Sequence, residues 1–320
     1  MLNIIIPTYK AKDTLPKALD SLVSQTKSMF LITIVQDCDD EDYSNIISEY
    51  RNRGLHISLL KTPENGGAGV ARQFGIDNLV NIDYCMFLDA DDMLMPRAAE
   101  VLYTEAKKND ADLISSDIYV ERGHALGEHW DCEKMPITWC HGKIYKLDYL
   151  KNNNIRFLPN IRYNEDSYFN LVAVNSTKKK FMVKELTYLW RDNKNSVTRL
   201  GRETEEFFKK SWIQYIDGQI AGIKKIKEIT GEISPAAIGC SMVNIYDQCM
   251  KADYLEYDIN LPQLLEFGKT SLIKETLDSK DFWKIIKSRV KACDTFNNDL
   301  IFYKIRFCDW IDQYVTGEKK

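Results

Sequence analysis

The sequence predicts an α/β fold: an open, mostly parallel sheet flanked by helices, with an all-helical C-terminal appendage. Three observations lead there. Short unbroken apolar runs alternate with amphipathic stretches over the first 120 residues, glycines or carboxylates follow those runs, and the texture becomes purely helical beyond residue 200. The runs at 2–6, 31–35, 57–60, 85–88 and around 113–114 look like strands buried on both faces. Between them Leu15, Ala18, Leu19, Leu22 and Val23 recur at helical spacing. So do Tyr43, Ile46, Ile47 and Tyr50, with Gly54 as the stop, and Pro96 opens a helix carrying Ala99, Val101, Leu102 and Ala106. From 121 to 200 the pattern is irregular, with short strands at 180–183 and 187–190. The expected division is therefore a ligand-binding domain at 1–200 and a helical region at 201–320. In the latter, Trp212, Ile213, Ile216, Ile220, Ile223 and Ile226 form one apolar stripe. That stripe is expected to pack on the first domain or on a twin subunit. Peripheral membrane contact through Lys209, Lys210, Lys224, Lys225 and Lys227 is the weaker alternative.

A chain of 320 residues exceeds one usual core, which fits two units. Its net charge of −4 and pI near 5.7 lack the basic excess of a nucleic-acid binder. The N-terminal stretch has no basic region ahead of a long apolar one, and no run approaches the ~20 apolar residues of a membrane span. Eight scattered cysteines form no C-x-x-C pair, so free thiols and a cytoplasmic location are expected. The cluster His124, His129, Cys132, Cys140 and His141 matches no common zinc spacing.

Ligands of open α/β sheets bind at the carboxyl ends of the strands. The first run ends in Pro7-Thr8-Tyr9-Lys10, where an aromatic side chain can wall a planar-base pocket. The second ends in the acidic run Asp37-Cys38-Asp39-Asp40-Glu41-Asp42. Most of these carboxylates are expected to face water or to start the next helix, leaving Asp37 to accept a hydrogen bond from a ligand base. The third leads to Asn65-Gly66-Gly67-Ala68-Gly69, a tight turn that admits close backbone approach. The fourth ends in Asp89-Ala90-Asp91-Asp92. Two carboxylates at i and i+2 share one face of the strand end and repel by about 4 kcal/mol at an effective dielectric near 20. A hard divalent cation completed by substrate phosphates relieves that repulsion, whereas Asp92 suits a helix cap.

This ordered set resembles the family 2 glycosyltransferases of GT-A fold. The resemblance continues through Trp139 to Lys143-Ile144-Tyr145, Asn164-Glu165-Asp166-Ser167 and Tyr188-Leu189-Trp190-Arg191, covering about residues 1–200. Two stretches depart from it: Gln36-Asp37-Cys38 stands where many members carry two aspartates followed by a glycine, and Gln73 stands where Asn is usual. The resemblance implies a GT-A sheet and transfer of a sugar, with inversion, from a nucleotide-sugar, usually a UDP-sugar. The acceptor would be a hydroxyl on a saccharide or glycoconjugate. By position, Thr8, Tyr9, Asp37 and Arg72 would hold uracil, Asp89 the ribose side, and Asp91 a Mn²⁺ or Mg²⁺ ion on the diphosphate. Arg191 would be a second phosphate clamp, against the alternative of a surface salt bridge.

Asp166 would be the base for the acceptor hydroxyl and Glu165 its orienting neighbour. The same stretch also reads as a helix start with Asn164 as cap. Trp139 and His141 would face donor sugar or acceptor, with core packing the alternative for Trp139. Rival readings are transfer to a modified base in DNA, which the acidic pI opposes, and a non-catalytic assembly protein with the same domain. The tail could also support homo-oligomers.

Overall fold

The computed structural model of the chain describes residues 1–26, 30–124, 127–133, 138–193, 205–254, 261–296 and 307–317. It divides into two compact units, Met1–Leu200 and Gly201–Lys320.

The first unit is a curled sheet with helices packed on it. Its elements are β1 (Leu2–Thr8), α1 (Leu15–Val23), β2 (Phe30–Gln36), α2 (Ser44–Asn52), β3 (Ile57–Lys61) and α3 (Ala68–Asp77). They continue with β4 (Tyr84–Phe87), β5 (Met93–Leu94), α4 (Ala98–Lys108), β6 (Leu113–His124), β7 (Gly127–Glu133) and β8 (Lys143–Lys146). The unit ends with α5 (Leu147–Asn152), α6 (Glu165–Asn175) and β9 (Lys180–Trp190). The strand order is β3-β2-β1-β4-β8-β6-β9-β5, with β7 paired to β6.

Register explains where the site forms. β1, β2, β3 and β4 run parallel, with Thr8 beside Gln36, Gln36 beside Lys61 and Ile5 beside Phe87. Asp37 and Asp89 therefore leave the sheet at one edge. β8 is antiparallel to β4, pairing Met86 with Ile144, so His141 at its start lies at that edge too. β6 and β9 run with β4 in direction, and Trp190 pairs with Val120 near the same end. A second half that looks irregular in sequence thus delivers further side chains, His141 and Trp190 among them, to one rim.

Three elements differ from the sequence expectation. β3 is an edge strand with Ser58 and Leu59 exposed, so its apolar run does not mean burial on both faces. The two short strands expected at 180–190 are one continuous β9, whose pairing with β6 absorbs two register shifts. The helix expected at Pro96 begins at Ala98, while the Pro96 carbonyl accepts the Thr26 amide at 2.9 Å.

The second unit holds α7 (Glu205–Thr230), α8 (Pro235–Tyr254), α9 (Pro262–Gly268), α10 (Ser271–Leu277), α11 (Lys280–Phe296) and α12 (Phe307–Trp310), then a π-helical turn at Ile311–Thr316. Ile216, Ile220 and Ile223 are buried within this unit against Met242, Leu264 and their neighbours. These three residues of the stripe serve the unit's own core, and Ile213 at its start is exposed. Of the basic strip, Lys210 pairs with Glu206, Lys225 with Glu228, and Lys224 lies 5.8 Å from the Phe267 ring centroid. Among the described residues, no helix is long and apolar enough to cross a membrane.

Candidate active site

The rim is organised around Arg72 of α3. Its guanidinium is almost fully buried, with Nη2 on Asp89 Oδ1 at 2.6 Å and Nη1 on Glu165 Oε1 at 2.7 Å. The rings of Phe87 and Phe157 lie 5.9 and 5.8 Å away. Two carboxylates hold the guanidinium charged and push its pKa further up although burial opposes it. Arg72, which the resemblance would place on uracil, is here engaged by two carboxylates and ties the strand tip to the start of α6. Removing either partner of such a pair strands a buried charge, which typically costs about 3–5 kcal/mol.

One glycine starts the helix that carries Arg72, and a second leaves room for the bridge. Gly67 caps α3 at φ +87°, a left-handed conformation that favours glycine. A Cβ on Gly69 would stand 2.7 Å from Glu165 Cγ, so only a bare backbone lets Glu165 pass to Arg72. Asn164 precedes α6 at the cap position, but at φ 59° and without a side-chain cap bond, so the expected Asn164 capping is not formed. Asp166 follows in the first turn. Burial, then the charge of Glu165, push its carboxyl up to about 7, with Arg72 opposing them.

Asp89, Asp91 and Asp92 leave β4 in three different states. Burial opposes ionisation of Asp89, yet Arg72 and a 3.2 Å contact from His141 Nε2 to Oδ2 hold its carboxyl well below the ordinary range. Burial and the Asp89 charge raise Asp91, whose Oδ2 accepts a 2.8 Å bond from Asn193 Nδ2. Asp92 is fully buried and raised further, by burial and then by Asp89 and Asp91. Its Oδ2 accepts from the Tyr188 hydroxyl at 2.7 Å and its Oδ1 from the Arg191 amide at 2.8 Å. Asp92 is thus no helix cap: it fastens the end of β9 to the strand tip, a long-range role without a local sequence signal.

Oδ atoms of Asp89 and Asp92 and a ring nitrogen of His141 all lie within 4.8 Å of one another. Among the described residues this is the group that could hold a metal ion, and Asp91, the ligand implied by the resemblance, is not in it.

On the other side of the rim, Thr8 is buried with its hydroxyl on the Val35 carbonyl at 3.2 Å, while Tyr9 is 45% exposed and presents its ring. Asp37 is also buried. Its Oδ1 accepts from Thr62 Oγ1 and the Gly66 amide, each at 3.0 Å, and its Oδ2 from the Gly67 amide at 2.7 Å. The carboxylate expected to read a base is thus chiefly the fastening of the glycine turn. Asp40 and Asp42 are exposed, and Asp42 accepts from the Ser44 amide at the start of α2 at 2.9 Å, as expected, but Asp39 and Glu41 depart from that expectation. Asp39 is buried, with Oδ2 accepting from the Lys10 amide at 2.6 Å and Oδ1 from Gln36 Nε2 at 2.6 Å. Glu41 accepts from the Lys12 amide at 2.9 Å and from the Tyr43 hydroxyl at 2.8 Å. Gln36, a departure from the family pattern, is what anchors this network. The second departure, Gln73, turns away from the rim to bond Asp77 and the Phe157 amide, each at 2.9 Å.

The His141 ring stacks on Tyr188 with centroids 4.6 Å apart. Trp139 is half-buried against the sheet core and lies 6.1 Å from Trp190, so core packing and a rim position coincide in it. The Arg191 Nε stands 3.9 Å from Glu121 Oε2, the ion-pair alternative at its long limit. Sequence reasoning missed Asp92, Tyr188 and Asn193 as contributors to the strand tip, and Asn170 and Lys143 behind it. Tyr188 and Lys143 did lie in the quoted stretches. Asn170 and Asn193 carry no signal, because each acts through a tertiary contact.

Residues 3–161 match the model described as glycosyl transferase family 2, and through this domain the chain belongs to that family. It is 27% identical to EpsJ, an uncharacterized glycosyltransferase of Bacillus subtilis (strain 168), over 220 residues, 62% of this chain and 63% of EpsJ. It is 28% identical to the minor teichoic acid biosynthesis protein GgaB of the same strain over 242 residues, 69% of this chain and 26% of GgaB. The solved structure of Staphylococcus aureus TarS 1-349 in complex with UDP matches with a TM-score of 0.64 at 16% identity, covering 96% of each chain. At that identity the likeness is one of fold. TarS is named a poly(ribitol-phosphate) beta-N-acetylglucosaminyltransferase. The chain spans 63%, 26% and 64% of the length of three curated relatives it matches, EpsJ, GgaB and YibD of Escherichia coli.

Proposed function

We propose that this chain is an inverting, divalent-metal-dependent glycosyltransferase that moves a sugar from a UDP-sugar to a hydroxyl of a teichoic-acid-type saccharide. The observation that carries the reading is the Arg72 bridge, which joins the strand-tip carboxylate Asp89 to the helix start bearing Glu165 and Asp166. The name of GgaB and the UDP complex of TarS support the donor and acceptor classes.

Asp166 takes the proton of the acceptor hydroxyl as the new bond forms. A carboxyl pushed up to about 7 is about half ionised near neutrality and more basic than an ordinary aspartate, and positioned bases contribute about 10²–10⁴-fold. Glu165, neutralised by Arg72, orients the turn that holds Asp166. The exposed Tyr9 ring stacks on uracil at the mouth of the pocket, with Thr8 and the remaining acceptor capacity of Asp37 at its floor. Arg191 is the side chain available to a phosphate once released from Glu121. Asp89, Asp92 and His141 offer two carboxylate oxygens and an imidazole nitrogen, a donor set that fits Mn²⁺ better than Mg²⁺. Asp91, raised by its neighbours, gains from a cation on the same loop. When bound, such an ion neutralises the charge that develops on a departing diphosphate.

The test is a thermal-shift and transfer assay with UDP, Mn²⁺, a panel of UDP-sugars and poly(ribitol phosphate). UDP with Mn²⁺ is expected to raise the melting temperature, and a UDP-sugar to be consumed only when an acceptor is supplied. Absence of any UDP-dependent shift would overturn the reading.

A further inference from the structure

Asn170 lies one helical turn after Asp166 on α6 and is completely buried. Its Nδ2 donates to the Thr138 carbonyl at 3.1 Å and the Asp166 carbonyl at 2.9 Å, and meets Cys140 Sγ at 3.4 Å. Its Oδ1 accepts from the Tyr145 hydroxyl at 2.7 Å. Two carbonyl oxygens on one side demand the NH₂ edge there, so the amide orientation is determined by its partners. The next carbonyl, that of Trp139, accepts from the buried Lys143 Nζ. Three residues further on, the Gly142 carbonyl accepts from the Ser116 amide and hydroxyl, each at 2.9 Å. The segment bearing Trp139 and His141 is thus held by its carbonyls. Asn170 is the holder that comes from the helix carrying Asp166. Desolvating an amide is costly unless its bonds are made, and here they join two separate parts of the rim.

We propose that Asn170 is a positioning residue that fixes the Trp139–His141 segment against the start of α6, keeping the donor side and Asp166 at one spacing. The inference rests on the functional reading above, since it needs Asp166 as base and His141 on the donor side. Group transfer is sensitive to such spacing: a displacement of about 1 Å costs on the order of 10²-fold in rate.

The experiment compares Asn170→Ala, Asn170→Asp and Tyr145→Phe with the unmodified chain. It reads melting temperature, UDP affinity with Mn²⁺, turnover from UDP-GlcNAc or UDP-glucose to poly(ribitol phosphate), and the fraction of donor hydrolysed instead of transferred. For Asn170→Ala, turnover is expected to fall about 10–100-fold while UDP affinity holds and the hydrolysed fraction rises. Asn170→Asp, which sets an oxygen against two carbonyls, should fall further. Tyr145→Phe removes a single bond to the amide and should show the same split, more weakly, even if the Asn170 variants fail to fold. Unchanged turnover in the variants, or loss of UDP affinity in step with turnover, would overturn the inference while leaving the function intact. An unmodified chain that neither binds UDP nor consumes donor would instead bring down the functional reading and this inference with it.

Discussion

Two acidic segments leave β2 and β4, on either side of β1, at the same edge of the sheet, and they meet opposite fates. In the 37–42 segment the buried carboxylates find donors. Asp37 takes three, and Asp39 takes the amides of Lys10 and Glu41, the Gln36 side chain and the Tyr43 hydroxyl. Although burial opposes it, those bonds hold the Asp39 carboxyl below its ordinary value. In the 89–92 segment, Arg72 and His141 serve Asp89, while burial and mutual repulsion lift Asp91 and Asp92. The lesson concerns satisfaction rather than charge count. Carboxylates with a full set of donors build a loop; carboxylates left to repel one another keep an appetite for a cation or a proton.

The largest effect is expected beyond both segments, at the base they face. Asp166→Asn should keep UDP binding while transfer falls about 10²–10⁴-fold, and unaltered turnover would refute the assignment of the base. Next in size is a reciprocal pair that tests the comparison itself. Asp91→Ala should weaken, without abolishing, the Mn²⁺-dependent part of the UDP thermal shift, since Asp89, Asp92 and His141 remain to hold the ion, and leave the melting temperature of the free chain unchanged or higher, because it relieves repulsion. Asp39→Ala should do the reverse, losing about 2–3 kcal/mol of stability in denaturant titration while the UDP shift persists. If the two variants behave alike, the distinction collapses.

The third prediction concerns pH. With Asp166 at about 7, kcat/KM for transfer should rise with pH up to that value and level off above it, and Asp166→Asn should flatten the profile. Stability should move the other way for the same group. A carboxyl whose pKa rises on folding holds its proton more tightly in the folded chain, so its contribution is full below the ordinary 3.8 and is lost as pH climbs through about 7. Asp39, depressed on folding, contributes above 3.8 and loses that contribution as pH falls through its lowered value. The smallest expected effect is Tyr43→Phe, which removes the hydroxyl shared by Asp39, Glu41 and the Ala11 amide. It should cost about 1–2 kcal/mol without altering UDP binding.

Much of the frame was legible in the residues. Unbroken apolar runs marked β1, β2 and β4, and helical spacing marked α1 and α2, because burial on two faces or one leaves a periodic trace. Around the site the residue types were legible and their partners were not. Arg72 stood out in its motif, yet nothing local says that it reaches Glu165, 93 positions along the chain. Asp92 looked like a cap because its true partners, Tyr188 and the Arg191 amide, lie on a strand almost a hundred residues away. The edge position of β3 was hidden for the same reason: an apolar run does not reveal how many neighbours its strand has.

What the sequence determined by itself was the inventory: apolar runs that must be buried, glycines that permit close approach, and acids delivered at strand ends. Which of those acids is neutralised, which is pushed upward by crowding and which stays poised near neutrality was decided by the tertiary structure alone. A carboxyl group's state follows from the donors, charges and solvent within a few ångströms of it, and in this fold those neighbours come from strands and helices far apart in the chain.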